Sequence, residues 1–324
     1  MSEKTKPQVT AADDDYSMEA VPESARKGFR SMFFVMLGFT FFSASMSVGA
    51  KLGNGLDLNG FAAACVIGGV ILSAYCGILA YIGSDTGMSM DLLCRRAFGK
   101  KGSYLSSLVL GLTQIGWFGV GSFVSGGTAT PNFARFAKNG KAGAITTVVA
   151  FFIGNSLMFF FGAVSSIFVG GNDIFEVMVR LNLFYLAVLV LGLNIWTTND
   201  NALYTAGLGL ANIFHQRKKP MVLLSGIIGT VASVWLYYNF CGWLNILNCT
   251  LPPVGMILVL AYFMNKEDFE TDQPKLKTID WFAVAGVILG AIVANLLHWG
   301  IASINGMVVA AVCYCVGQAV NKRK

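Results

Sequence analysis

Nine apolar runs recur along this 324-residue chain, near 31–50, 60–83, 104–131, 144–170, 181–212, 221–240, 242–264, 280–298 and 301–320. Each is close to or longer than the roughly 20 residues an α-helix needs to cross a bilayer. In hydrocarbon only segments that satisfy their own backbone polar groups can span, so these runs read as helices and the chain as an all-α polytopic membrane protein. Composition agrees: 55% of residues are hydrophobic and 12% charged, too little charge to keep a domain of this size dissolved. The charge there is gathers in short basic clusters between the runs. These are Arg26, Lys27 and Arg30; Arg95, Arg96, Lys100 and Lys101; Arg135, Lys138 and Lys141; Arg217, Lys218 and Lys219; and Lys322, Arg323 and Lys324. Such clusters mark cytoplasmic loops, so the net charge of +6 speaks to orientation and not to nucleic acid.

Residues 1–29, with Asp13, Asp14 and Asp15 in a row and no cleavable signal, read as a disordered cytoplasmic tail. Residues 30–321 form the transmembrane domain and 322–324 a cytoplasmic C-terminus. The seven cysteines lack metal spacing and are expected to be reduced packing residues.

Gly192 to Asn201 breaks the apolar pattern of its run. Asn194, Thr197 and Thr198 fall at i, i+3 and i+4, on one helical face about a turn apart. Polar groups at membrane depth face a cavity, a ligand or a partner helix, and this face offers only neutral oxygen and nitrogen ligands. Interhelical hydrogen bonding is the alternative use. In the first run, Gly38-Phe39-Thr40-Phe41-Phe42-Ser43 can unwind and turn backbone carbonyls toward a cation, or can pack as a straight helix. Pro252-Pro253 predicts a break or bend in the seventh run, most simply a kink with no ligand role.

The third run, 104–131, has basic clusters on both sides. If both flanks are cytoplasmic, one crossing cannot join them. Its length allows two half-spans of about 14 residues, each close to 20 Å long. The expectation is a re-entrant hairpin turning at Gly119–Gly121, or else the absence of an odd number of spans.

Several long stretches carry a resemblance. They are Phe34 through Met46, Tyr81 through Met88, Thr113 through Gly121, Phe152 through Phe159, and Gly192 through Tyr204. From Val21 onward the chain resembles the nucleobase–cation symporter-1, or purine–cytosine permease, family. That resemblance implies an inverted-repeat transporter core with two additional helices, in which the first and sixth helices are broken at the midplane. It further implies sodium-coupled import of cytosine or a related nucleobase across a bacterial inner membrane, by a monomer with both termini cytoplasmic. Relative to the twelve-helix family this chain is incomplete. Roughly ninety residues, about three spans with their loops, are missing at the Gly121-Ser122 junction. There the first half of the third helix runs into what resembles the second half of the sixth.

Carried over by position, the resemblance implies that Gln114 and Trp117 hydrogen-bond and stack on the base. It implies that Ser122 and Phe123 supply a backbone contact and the opposing aromatic, and that Asn194 touches both base and ion. Gly38 and Phe41, through carbonyls, with Asn194, Thr197 and Thr198, resemble the sodium ligands. The chemistry suits these roles, because a flat, amide-rich ring is held well between aromatic faces with side-chain amides at its edge. No carboxylate belongs to that ion set, which fits a monovalent cation rather than Ca²⁺ or Mg²⁺. Asp200, two residues beyond Thr198, would carry coupling in a proton-driven variant.

A membrane enzyme would need buried acids, histidines or a nucleophile–base pair. The chain offers His215 in a basic loop and His298 at a span end, so no enzyme and no cofactor beyond the coupling ion is expected. The competing reading is a base-binding remnant that no longer transports, since alternating access needs both repeats to move about the site.

Overall fold

The computed structural model describes residues 16–41, 43–120, 126–171, 173–271, 274, 276–297 and 299–321. Along them run α1 (Phe29–Thr40), α2 (Ser43–Gly55), α3 (Leu58–Thr86), α4 (Met90–Phe98) and α5 (Ser103–Val120). There follow α6 (Gly126–Ala134), α7 (Gly140–Val169), α8 (Ile174–Arg180), α9 (Phe184–Phe214) and α10 (Lys218–Tyr238). The chain ends with α11 (Phe240–Met264), α12 (Lys266–Glu270), α13 (Trp281–Leu296) and α14 (Ala302–Asn321). No β-strand occurs among the described residues. Each apolar run of the sequence is mainly helical among the described residues.

Among the described residues five stretches are long and apolar enough to cross a membrane: Leu58–Thr86, Gly140–Arg180, Lys218–Leu236, Asn245–Met264 and Ala302–Asn321. The pair α1 and α2 makes a sixth, bent by 59°. Large apolar side chains point outward, as a lipid solvent allows: Leu58, Phe168 and Val231 are 81%, 83% and 80% exposed. The interior combines large side chains such as Tyr262, Phe98 and Leu79 with glycines where helices approach closely. Gly49 and Gly162 let α2 lie directly on α7, for a Cβ at either would collide with the backbone of Phe159 or Met46.

The bend between α1 and α2 falls at Phe41, whose φ of −78° and ψ of 81° leave the helical region. The unwound reading of this stretch therefore holds. By contrast, α11 continues through Pro252 and Pro253 without a break, which leaves a kink as the form their effect can take. The reason is local compensation. Pro252 has no N–H for the Asn248 carbonyl, and that carbonyl accepts from Ser303 Oγ of α14 at 3.1 Å instead. The Pro253 ring fills the space beside Gly290 and Gly306, where α13 and α14 cross closely.

The two described ends of the third run lie at the same end of the molecule. Ser107, near the start of α5, donates through Oγ to Asp91 of α4 at 2.5 Å. Asn132, near the end of α6, accepts through Oδ1 from Met90 N of the same α4 at 2.7 Å. Both ends of the run therefore rest on one short helix at one end of the molecule, the end that also carries the Arg95–Lys101 and Arg135–Lys141 clusters. Of the expected turn at Gly119–Gly121, Gly119 and Val120 are still helical, the last residues of α5, and Gly121 lies outside the described residues.

The segment assigned to the N-terminal tail is described from Tyr16 onward. There Val21 is buried and donates its N–H to the Gly87 carbonyl at 2.8 Å, Arg26 Nη1 reaches the Ser84 carbonyl at 3.0 Å, and Lys27 N reaches the Phe136 carbonyl at 2.6 Å. This stretch thus straps the ends of α3 and α6 together. Cys65, Cys76, Cys94, Cys249, Cys313 and Cys315 are free thiols.

Candidate substrate and ion site

The helix break and the polar face of α9 meet directly. Asn194 Nδ2 donates to the Phe41 carbonyl at 2.9 Å, across 153 positions of sequence. Two residues assigned to the ion site by different stretches of sequence are thereby brought into contact. Gly38 lies one turn before Phe41 on α1, and a Cβ there would meet nothing within 4 Å, so its surroundings are open. Thr197 and Thr198 follow Asn194 by one turn of α9, and their side chains lie outside what the structure describes. The framework under the break is α7. Thr40, whose Oγ1 donates to the Leu37 carbonyl at 2.7 Å, sits against Gly154, where no side chain would fit. Phe39 packs on Phe151 with ring centroids 5.9 Å apart.

Gln114 is buried on α5, at 5% exposure. Its neighbours fix the helix: Ile115 packs on Ala206 and Leu210 of α9, and Gly116 sits against the Trp243 indole of α11. α5 and α9 run antiparallel. Asn212 pairs with Ser103 and Ser107, Gly209 approaches the Ser107 carbonyl, and Gly111 approaches that of Ala206. Carrying this register forward sets Gln114 and Trp117 level with about residues 200–203 of α9. Asn194 then lies some six to nine residues further on, roughly 9–14 Å by helical rise. Gln114 on α5 and Asn194 on α9 thus lie about two helical turns apart along the α5–α9 pair. The Trp117 side chain lies outside what is described, and so do Ser122 and Phe123.

Asp200 is exposed on α9 and makes no hydrogen bond among the described residues, so nothing ties it to the ion ligands. His215 takes Tyr104 OH at 2.9 Å on Nε2 and Arg95 Nη2 at 3.3 Å on Nδ1. Among the described residues no cluster of His, Cys, Asp or Glu could hold a metal ion; His298 lies outside them.

Sequence reasoning missed the anchoring of the site helices at the basic-loop end. Arg135, counted only as part of a basic cluster, is fully buried and donates through Nη2 to Tyr204 OH of α9 at 2.8 Å. The available signal was its place only four residues, about one helical turn, beyond the end of the apolar third run.

The family model for permeases of cytosine and purines, uracil, thiamine and allantoin matches residues 20–129 and 119–319. The chain belongs to this family. Its members are transporters and not enzymes. Cytosine permease of Escherichia coli K12 is 37% identical over 405 aligned positions, covering 96% of this chain and 96% of that protein. The cytosine permeases of the O6:H1 and O157:H7 strains match equally well. Since 96% of 324 residues is about 311, about ninety of those 405 positions have no residue here. The family match splits over 119–129, where the sequence placed the missing segment. Among solved structures, an inward-facing conformation of Mhp1 superposes with a TM-score of 0.66 over 94% of this chain and 93% of that one, at 14% identity. That likeness supports the transporter fold, here incomplete relative to the full-length permeases. The chain is a multi-pass membrane protein of a nucleobase-transporting family.

Proposed function

We propose that this chain binds cytosine together with a sodium ion and imports the pair across a bacterial inner membrane as a monomer, with both termini cytoplasmic. The observation that carries the reading is the Asn194 to Phe41 hydrogen bond. It joins the polar face of α9 to the helix break, so the Asn194 side chain reaches the proposed ion ligands. A carbonyl oxygen has two lone pairs, so the Phe41 carbonyl can accept from Asn194 and still coordinate a cation. Sodium would be held by the Gly38 and Phe41 carbonyls, Asn194, Thr197 and Thr198. Cytosine would be held at its edge by Gln114 and Asn194 and between the rings of Trp117 and Phe123, with the Ser122 backbone beside it.

The cytosine permeases that share 37% of the sequence support the choice of base. The ninety absent positions favour a second reading, a base-binding protein that no longer alternates. Radiolabelled cytosine uptake into proteoliposomes, measured beside cytosine binding to the same preparation in detergent, separates the two. Sodium-dependent accumulation supports import. Binding without accumulation supports the remnant, and neither one removes cytosine as the ligand.

A further inference from the structure

Away from the substrate and ion residues, the basic-loop end buries a connected set of polar groups. Ser89 caps α4 by accepting from Leu92 N at 3.4 Å and so sets Asp91 in the first turn, at 3% exposure. Asp91 Oδ1 accepts from Ser107 Oγ of α5. Ser107 Oγ in turn accepts from Asn212 Nδ2 of α9 at 2.8 Å, and the same amide reaches Ser103 Oγ at 3.3 Å. Asp91 Oδ2 and Asn212 Oδ1 are buried without any partner. On the α6 side, Asn132 holds Met90 N, while Arg135 joins Tyr204 OH and the Tyr16 carbonyl, the latter at 2.6 Å.

A buried carboxylate with one hydrogen bond is costly in its charged form, because burial strips water that a single hydroxyl does not replace. A proton removes the charge and converts the unpartnered oxygen into a donor in a cluster that already holds a spare acceptor. We propose that Asp91 is a proton-binding site, neutral while α4 is packed on α5 and α9 and ionised when α4 parts from them. α5 carries Gln114 and Trp117 and α9 carries Asn194, so the proton fastens or frees one end of both site-bearing helices.

The groups facing Asp91 allow this. From α4 itself come Arg95 and the buried thiol of Cys94; from α6 comes Arg135; α5 and α9 present neutral Ser107 and Asn212, with Tyr104 and His215 one step away through Arg95. α11 contributes Tyr262, whose hydroxyl donates to Asp85 instead. Toward α12 and α13, Arg96 takes the Thr271 carbonyl at 2.9 Å and Lys277 pairs with Asp280 at 2.8 Å. Burial is the largest influence and pushes Asp91 up to about 6, against the lowering effects of the Ser107 hydrogen bond and then of Arg135 and Arg95. An acid whose titration is raised in the packed state binds more protons there. The packed state is therefore most favoured near pH 4 and loses that advantage as pH rises to about 6.

The test is the melting temperature of the full chain in lipid nanodiscs between pH 4.5 and 7.5, for the parent, D91N, S107A and H215N. The parent minus D91N difference should fall from pH 4.5 and level off above about pH 6, with the parent losing several degrees over that range. S107A should move the midpoint upward, because the lost hydrogen bond favoured the carboxylate, and H215N should keep the parental profile. A parental profile in D91N, or a profile abolished in H215N but kept in D91N, overturns the assignment. Should D91N fail to fold, S107A decides: an upward midpoint supports the site, and an unmoved or lowered one refutes it.

Discussion

Replacing Asn194 by alanine tests whether one side chain couples base and ion. The structure sets the magnitude. The bond removed is 2.9 Å long and runs from a half-exposed amide to a backbone carbonyl, so water can partly replace it. A net hydrogen bond of this kind contributes about 1 kcal/mol, or roughly fivefold in affinity. The melting temperature of N194A should therefore fall slightly, and loss of the separate amide hydrogen bond proposed to the base should weaken cytosine binding without sodium about fivefold. The larger effect is on coupling. If Asn194 contacts both ligands, sodium and cytosine tighten one another by the same factor, with coupling energies typically about 1–3 kcal/mol. In N194A that factor should fall to about one. The assay is a cytosine isotherm in sodium and in choline at equal ionic strength, paired with a sodium isotherm with and without cytosine. A coupling factor in N194A equal to the parent's refutes the reasoning, as would a parent with no coupling at all.

Gln114→Ala should weaken cytosine binding by about 1–3 kcal/mol, because the ligand's polar edge is left unpaired, and a titration of the purified variant reads it. Phe123→Ala should cost about 1 kcal/mol of stacking in the same titration, with sodium coupling preserved. Ser303→Ala should lower stability by about 1–3 kcal/mol, read as a lower melting temperature with unchanged base affinity, since the Asn248 carbonyl loses its donor beside Pro252. Single cysteines replacing Ser103 and Asn139 in a cysteine-free background should be equally shielded from an impermeant thiol reagent on intact cells. Labelling of only one of them would mean that the 104–131 run crosses once.

The spans were only partly legible from length and apolarity: of nine runs, five among the described residues meet both, and a sixth does so as the bent α1–α2 pair. The break at Phe41 was legible as one of two options, since Gly38 and the hydroxyls permit unwinding without requiring it. What the sequence concealed depends on partners distant in the chain. Pro252 predicts a break only if no other donor reaches the Asn248 carbonyl, and Ser303 lies 55 residues away. Likewise Arg135 reads as a loop cation until Tyr204, 69 residues on, is seen to accept from it. The candidate site divides in the same way. Asn194, Thr197 and Thr198 share a face by helical period alone, whereas the contact of Asn194 with Phe41 needed the fold.

The two limbs that meet at the missing segment explain how a chain short by about ninety positions keeps both halves of its site in place. A re-entrant hairpin suggests limbs packed on each other, yet α5 is held by α9, α10 and α11, while α6 is held chiefly by α3 and α1. Each limb is also pinned to α4 at the basic-loop end, through Ser107 and Asn132. The position of Gln114 is thus set by Ile115 and Gly116 against α9 and α11, and that of Phe41 by Thr40 and Phe39 against α7. Neither depends on the residues around 121. Binding, which needs only these fixed placements, should therefore tolerate the shortened chain better than transport, which needs the two groups of helices to move against one another.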